Sequence, residues 1–529
     1  MKQTAAPATL DPLTKRFVER SDGLCAIQPV GTFQKFYFPA LFVAGLILFL
    51  YRWDLFILVV SILLMFCYAV AVFLRVAAAV KSLKKNAERH VTPEEIAALK
   101  DEELPVYTIL IPLYHESAVA EKILKRLAAL DYPKEKLDVK LLLEADDDET
   151  ASALDRSGIP FWCEKIVVPD GQPRTKPRAC NYGLEAARGE FSVIYDAEDK
   201  PEPDQLKKAV VFFREDTEKK LLCIQAKLNY YNPEQNLLTR FFTVEYSANF
   251  DLQLPGLQSF HLPLPLGGTS NHFRSKELRD VGGWDPFNVT EDCDLGIRLY
   301  EHGYQTAVLE STTWEEANSQ VWNWIRQRSR WVKGFLQTHL VHYRNPLRTL
   351  KRLGLRGFFG CYAYVGGSVL MMLTNLIFWP VILLYGTLLI HGLCAGETLS
   401  SLIVGPHAGG SLYRGIDCGL FHLKAWPLVY CGANENVLYS SLSQILFAGG
   451  IFLFLMNFAL IGIQVAACIK RKFYRLIPAA LFMPFYWVLI SIGAWKGVIQ
   501  FLHKPFYWEK TKHGLDAAAV EGTAGQPES

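Results

Sequence analysis

The sequence has no charge surplus: 55 basic residues against 53 acidic ones leave a formal net charge of +2. Without a basic excess there is no polyanion-binding surface to expect, so nucleic acid is not a partner to look for. Metal-type cysteine spacing is missing too. The 11 Cys are scattered, with no CxxC pair and no Cys/His cluster at zinc spacing. No secretory leader is expected, because the first 35 residues are polar to mixed and the first apolar run, near Phe36, lacks a small-residue cleavage site. What abounds is apolar: half the residues are hydrophobic, with 33 Phe, 23 Tyr and 12 Trp among 529. That is high for a soluble chain and low for one that lies in a membrane throughout, and the length exceeds one ordinary core.

Long apolar runs set the layout. After a cytosolic N-terminal segment (1–35), "FYFPALFVAGLILFLY" (36–51) and "LFILVVSILLMFCYAVAVFL" (55–74) predict a two-helix transmembrane hairpin over 36–80. "KSLKKNAER" follows, and such positive charge marks the cytosolic side. An interface helix (346–364) leads to spans at 365–390 and 444–469, with an extracytoplasmic loop (391–440) between them. Its Cys394, Cys418 and Cys431 leave open one disulfide plus a thiol, or three thiols. The segment 475–502 is either a further span or an interfacial helix, and 516–529 reads as a disordered tail.

Between the spans, over 105–345, hydropathy falls. "VYTILIPLY", "VKLLLEAD", "KIVVPD", "FSVIYDAED" and "LLCIQAKLNYY" are short β-type runs, separated by helical stretches such as "AVAEKILKRLAALD" and "RACNYGLEAARG". Near-continuous apolar strands alternating with helices predict a mostly parallel sheet covered on both faces, which binds ligands at the carboxyl ends of its strands. Acidic residues stand at those ends. Asp196, Glu198 and Asp199 follow "FSVI" and would suit a hard cation, Mg²⁺ or Mn²⁺, or form only a solvated turn before Pro201. "LLLEADDDET" (141–150) offers carboxylates to nucleoside hydroxyls, or a turn with Asp148 capping the next helix. Arg174, Lys176 and Arg178 precede a helix, suiting a phosphate or the open surface. In "TEDCDLG", Asp292 is a candidate general base, while Thr290 could equally be an N-cap with Glu291 and Asp292 complementing the helix dipole. "QRSRWVKG" (327–334) crowds Arg and Trp at the membrane entry, where an interfacial helix carries both for its own reasons.

Taken in order, these four motifs resemble those of the membrane-integrated inverting glycosyltransferases of family 2: cellulose, hyaluronan, chitin and curdlan synthases. The resemblance covers 105–345 and implies an α/β GT-A (Rossmann-like mixed sheet) cytosolic domain combined with an α-helical transmembrane domain. It implies nucleoside contacts from Glu144 and Asp146, diphosphate contacts from Lys176, Gln327 and Arg330, and Mg²⁺ or Mn²⁺ on Asp196 and Glu198. The family usually has Asp where Glu198 stands. Asp292, beside Glu291, would deprotonate the acceptor hydroxyl. Trp331 would stack on the acceptor sugar, and "GGTSNHFR" would add Gly268 and Ser270. "FYWEKTKHG", within 503–515, is similar to a cytosolic gating loop in which Trp508, Lys510, Thr511 and His513 close over nucleotide. A cytosolic loop there requires an even number of crossings, hence four spans with 475–502 at the inner interface. The implied partners are a nucleotide sugar (UDP-glucose as first choice), a glycan acceptor, the lipid bilayer, as in a bacterial inner membrane, and room for a secretion partner. A one-sugar transferase to a lipid or polyprenyl phosphate, and an inactive membrane receptor, are the rival readings.

Overall fold

The computed structural model describes residues 10–84, 88–396 and 437–505. Its centre is one eight-stranded sheet: β1 (Tyr107–Leu113), β2 (Leu137–Glu144), β3 (Cys163–Val168), β4 (Phe191–Ile194), β5 (Lys200–Pro201), β6 (Leu221–Tyr230), β7 (Asn271–Arg274) and β8 (Gln305–Glu315). Their spatial order is β3-β2-β1-β4-β7-β6-β8-β5. Pairing is parallel from β3 through β4 and between β6 and β8; β7 runs antiparallel between β4 and β6, and β5 antiparallel at the edge. Two reversals around β7 restore the direction, so six strands point their carboxyl ends to one edge. This is the mixed sheet of a GT-A domain.

The strands are as oily as they are because both faces are covered. Every residue of β2 and of β6 is buried. One core packs Ile109, Ile111, Leu141 and Val193 against Leu124, Leu127, Val210 and Phe213. The other packs Leu110, Leu142 and Ile194 against Cys180, Leu184, Leu295 and Leu299. The helices read from sequence appear at Ala120–Ala128 and Lys176–Glu185. In the 141–150 turn the cap is Asp147 rather than Asp148: its carboxylate accepts the Thr150 N–H at 3.1 Å.

Among the described residues five helices are long and apolar enough to cross a membrane: Thr32–Trp53, Leu55–Ser82, Pro346–Leu376, Phe452–Lys470 and Met483–His503. The first two form a hairpin. The chain leaves helical geometry at Arg52 (φ −147°, ψ 70°), and Phe49 and Phe56 then meet edge-on at 5.6 Å. The segment expected at the inner interface, 475–502, contains the fifth of these helices, so four is not the number that length and apolarity alone give. That helix lies along helix Val321–His342, which carries QRSRW. A Cβ added at Gly497 would fall 2.5 Å from the Ser329 carbonyl oxygen, so only glycine allows the approach. The expected interface helix begins as Pro346–Cys361 and exposes Leu347, Leu355 and Phe359.

Buried ion pairs join the sheet domain to the long helices. Lys227 on β6 meets Glu88 at 2.6 Å and Asp251 at 3.2 Å, while Lys470, ending helix Val437–Lys470, reaches Glu88 at 2.7 Å. Arg471 pairs with Asp251. The basic cluster after that helix is therefore held directly by carboxylates of the sheet domain and its linker.

Candidate active site

The carboxyl edge of the sheet opens into a cavity of about 730 Å³. Glu144 ends β2, Asp196 and Glu198 follow β4, and Glu315 ends β8; all four line it, with Lys176, Glu291, Asp292, Gln327, Arg330 and Trp331. The four sequence motifs thus meet in one space.

At the β2 end, Glu144 is buried and stands 3.7 Å from Arg178. Burial raises its carboxyl, against the pull of Arg178 and Arg174. Asp146 lies outside this wall, half-exposed and paired with Arg174. Arg178 does not face a phosphate position: its guanidinium donates to Asp11 at 2.9 Å and to the Pro169 carbonyl at 2.7 Å, which ties the N-terminal segment to the back of the site.

Lys176 Nζ donates to Asp196 Oδ1 and, at 2.7 Å, to the Gly268 carbonyl. Burial works against its ammonium, but Asp196 and Glu291 hold it protonated well above the ordinary lysine value. The third acid of "YDAED" plays a different part. Asp199 is buried and accepts the Asp196 N–H at 2.7 Å and the Thr269 hydroxyl, so it shapes the turn that presents Asp196. Its Oδ1 has no partner. Asp196 and Glu198 are hard oxygen donors on the cavity wall, with orphaned carboxylate oxygens on Asp199 and Glu315 nearby. Among the described residues no three such side chains gather as a metal cluster, so a divalent cation here would take most of its ligands from a diphosphate and water.

Glu291 and Asp292 open helix Glu291–Glu301. Thr290 makes no side-chain cap; its hydroxyl instead faces that of Thr338 at 3.3 Å. The two acids are not on a solvated helix end. Burial pushes both carboxyls up, Asp292 to about 6 and Glu291 to about 8, with Lys176 opposing. Gly268 borders Asp292, since a Cβ built on it would lie 3.5 Å from Asp292 Oδ2. Ser270 is displaced from its expected place: it is fully buried at φ 58°, its hydroxyl donates to Thr313 at 2.7 Å, and it is absent from the cavity wall. It sits where β7 begins, so its side chain is taken up by the sheet.

The QRSRW helix is fastened to the "VTED" turn. Gln337 donates to the Phe287 carbonyl at 3.1 Å and accepts the Val289 N–H at 3.2 Å, and Asn288 donates to Thr338 at 2.9 Å. Gln327 and Arg330 reach the cavity on one side of this helix. Arg328 also borders the cavity, but its guanidinium is taken up by neighbouring side chains. It is buried, forms a two-pronged pair with Glu245, donates to Tyr486 at 2.9 Å, and lies 4.6 Å over the Trp331 ring. Trp331 also meets Phe242 and Tyr246 at 5.9 and 6.2 Å, which fixes its plane.

Two parts of the wall went unread in the sequence. Glu315 is one, with a buried Oε1 that has no partner. The strand-end rule that flagged Asp196 would have flagged it, had "AVLESTTWE" been read as a strand. The other is membrane-side: Tyr68, Arg75, Ser368, Asn375 and Gln464, all within apolar runs. Trp508, Lys510, Thr511 and His513 lie outside the described residues.

Comparison with known proteins matches residues 108–263 to the model for glycosyl transferase family 2, and residues 193–394 to the model for glycosyl transferase family group 2. The chain is 29% identical over 236 residues to a probable glycosyltransferase, YdaM, of Bacillus subtilis; the match covers 44% of this chain and 56% of that relative. Among solved structures it is similar to the mannosyltransferase PcManGT of Pyrobaculum calidifontis, in complex with GDP-Man and Mn²⁺, with 18% identity, a TM-score of 0.45, and coverage of 76% of this chain and 99% of that one. It is also similar to S. aureus TarS 1-349 in complex with UDP-GlcNAc, with 14% identity, a TM-score of 0.32, and coverage of 65% and 92%. The sheet that carries the acids, and the helices that carry TED and QRSRW, lie within the matched residues. Together the two glycosyl transferase models match residues 108–394, and the chain spans little more than half the length of the curated relative it matches.

Proposed function

We propose that this protein is an inverting, metal-dependent hexosyltransferase of a membrane, extending a β-linked glycan from a nucleotide sugar, with UDP-glucose as the first donor to try. The observation that carries this reading is the continuity of one cavity, from the strand-end acids past Asp292 and Trp331 to polar side chains between the apolar helices.

The chemistry follows from the residues. Glu144 would bind the nucleoside, and Lys176 with Arg330 and Gln327 would face the diphosphate. Asp196 and Glu198 would hold Mg²⁺ or Mn²⁺, which when bound offsets the charge of the leaving diphosphate. Asp292 takes the proton of the attacking hydroxyl, and its carboxyl near 6 suits a base at neutral pH. Glu291 stands beside it, its carboxyl raised further by burial and by Asp292. Lys176 and Arg330 would then stabilise the departing diphosphate, the electrostatic term expected to be the largest. Trp331 would support the acceptor ring without fixing its hydroxyl pattern.

The test is nucleotide release by the purified protein in detergent, with UDP-glucose, UDP-GlcNAc, UDP-glucuronate and GDP-mannose in turn, each with Mg²⁺ or Mn²⁺. Release with one donor, lost in Asp292→Asn and without metal, is the expected result. Silence with all four from a folded protein would refute the reading.

A further inference from the structure

Several buried cations among the described residues are matched by carboxylates: Lys176 by Asp196, Arg298 by Asp294, Arg328 by Glu245, and Lys227 by Glu88 and Asp251. Arg75 is not. It belongs to the apolar helix Leu55–Ser82 and lines the membrane side of the cavity. Among the described residues no carboxylate pairs with it. Its guanidinium donates to the Ser368 hydroxyl and lies 4.5 Å over the Tyr364 ring. Around it Gln253 donates to the Arg75 carbonyl at 3.3 Å, and Tyr364 donates its hydroxyl to Asn249 at 3.0 Å. Gln253 Oε1 is buried and has no partner.

A guanidinium half-withdrawn from water without a counter-charge favours an anion at its open side, and one hydroxyl and one ring face do not replace a carboxylate. Arg carries five donors in a planar fork suited to a two-oxygen anion, and Ser368 takes up only part of that fork. Depth matters as well. At 1.5 Å per residue, the about 20 residues beginning at Leu55 span the hydrocarbon core, which brings Arg75 to headgroup level, where its side chain nonetheless faces the cavity.

We propose that Arg75 and Ser368 form an oxyanion subsite on the membrane side of Trp331, and that the acceptor carries a phosphate or carboxylate that docks there. The orphaned Gln253 Oε1 would take a hydroxyl of the same ligand. The word acceptor rests on the transferase reading; the anion site does not. A phosphate would arrive on a lipid and a carboxylate on an acidic sugar, and the two are separable by experiment.

The measurement is binding to the full chain in detergent of two matched pairs: a polyprenyl phosphate against the polyprenol, and a glucuronate tetrasaccharide against a glucose tetrasaccharide. The charged member of one pair is expected to bind at least about ten-fold more tightly than its neutral partner, as charge-assisted hydrogen bonds warrant. Arg75→Gln should erase that ratio and Arg75→Lys keep part of it. Whichever pair shows the ratio names the source of the anion. Equal binding within both pairs overturns the proposal, as does a ratio that survives Arg75→Gln. If the Gln variant does not fold, the wild-type ratio and its reduction in Arg75→Lys decide. Nucleotide release is followed in parallel: its absence would refute the transferase reading and leave the binding ratio to judge the anion site alone.

Discussion

Gly334 is where a single methyl group should be most informative. It lies inside helix Val321–His342, one turn beyond Trp331, and a Cβ built on it would fall 2.4 Å from Thr290 Cγ2, 2.6 Å from Oγ1 and 2.9 Å from Cβ. Carbon atoms settle about 3.5–4.0 Å apart, so Gly334→Ala must move the helix or the TED turn by about 1 Å. Thr290 has little room to swing aside, being β-branched and set against Thr338 at 3.3 Å. Two effects oppose. Alanine favours an interior helical position by about 1 kcal/mol, whereas overpacking a buried contact costs about 1–3 kcal/mol. Packing should win on stability, and geometry should win by more on rate. A misplacement of about 1 Å between groups that must act together can cost about 10²-fold. Gly334→Ala is therefore expected to lose about two decades in kcat/KM for the donor found by nucleotide release, with a Tm lowered by a few degrees. Wild-type kcat/KM with an unchanged or raised Tm would show that the contact does not register QRSRW against TED, and the coupling argued above would fall.

Three further outcomes follow from the same geometry. Asp292 acts as a base only when ionised and its carboxyl sits at about 6, so kcat/KM should rise with pH through that region; a profile flat down to pH about 4 would remove it as the base. His342 lies between Asp294 at 3.0 Å and Glu301 at 2.9 Å; burial opposes its charge, but those carboxylates raise it to about 9. Its stabilisation, up to about 3 kcal/mol, is complete below the free-imidazole value near 6.5 and lost as pH rises through about 9, so Tm should fall across that window and His342→Gln should flatten the fall. Arg328→Lys keeps the charge but loses the two-pronged geometry to Glu245 and the bond to Tyr486, and should cost about 1–3 kcal/mol in stability while raising the KM for acceptor; an unaltered acceptor KM would show that Trp331 keeps its plane without it.

The strands legible in the sequence were those with unbroken apolar runs, because β1, β2, β4 and β6 are covered on both faces and their hydropathy records that burial. β7 and β8 were not read. β7 has four residues, three of them polar, with Arg274 turned to backbone carbonyls of Leu221 and Phe213 and His272 to Tyr107. β8 mixes Glu310, Ser311, Thr312 and Thr313 into its run; Ser311 and Thr313 accept from Gln205 on the covering helix Gln205–Glu215, and Thr313 accepts from Ser270. The acids of the site were legible singly, since each ends a recognisable element. Their roles were not separable: Asp196 and Asp199 are three residues apart, and only the turn shows that one faces the cavity while the other holds it in place.

The membrane side failed for a different reason, and the signal was present. A hydropathy window averages over about 19 residues, so an isolated amide or guanidinium in an apolar run barely lowers it. Spacing carries the information that averaging removes. Tyr68 and Arg75 are seven apart on one helix, Ser368 and Asn375 on the next, and Asn457 and Gln464 on a third. Seven residues are about two turns, so each pair occupies one face of its helix. The structure brings those faces together: Tyr68 donates to Asn375 or Asn457, at 3.3 and 3.1 Å, and Tyr68, Arg75, Ser368, Asn375 and Gln464 share the cavity wall. Polar groups facing lipid are penalised by several kcal/mol each, so three helices would not each carry such a pair unless all three turned it inward. Heptad-spaced polar pairs inside apolar runs are thus the pattern to read first when such a chain is asked what passes between its helices.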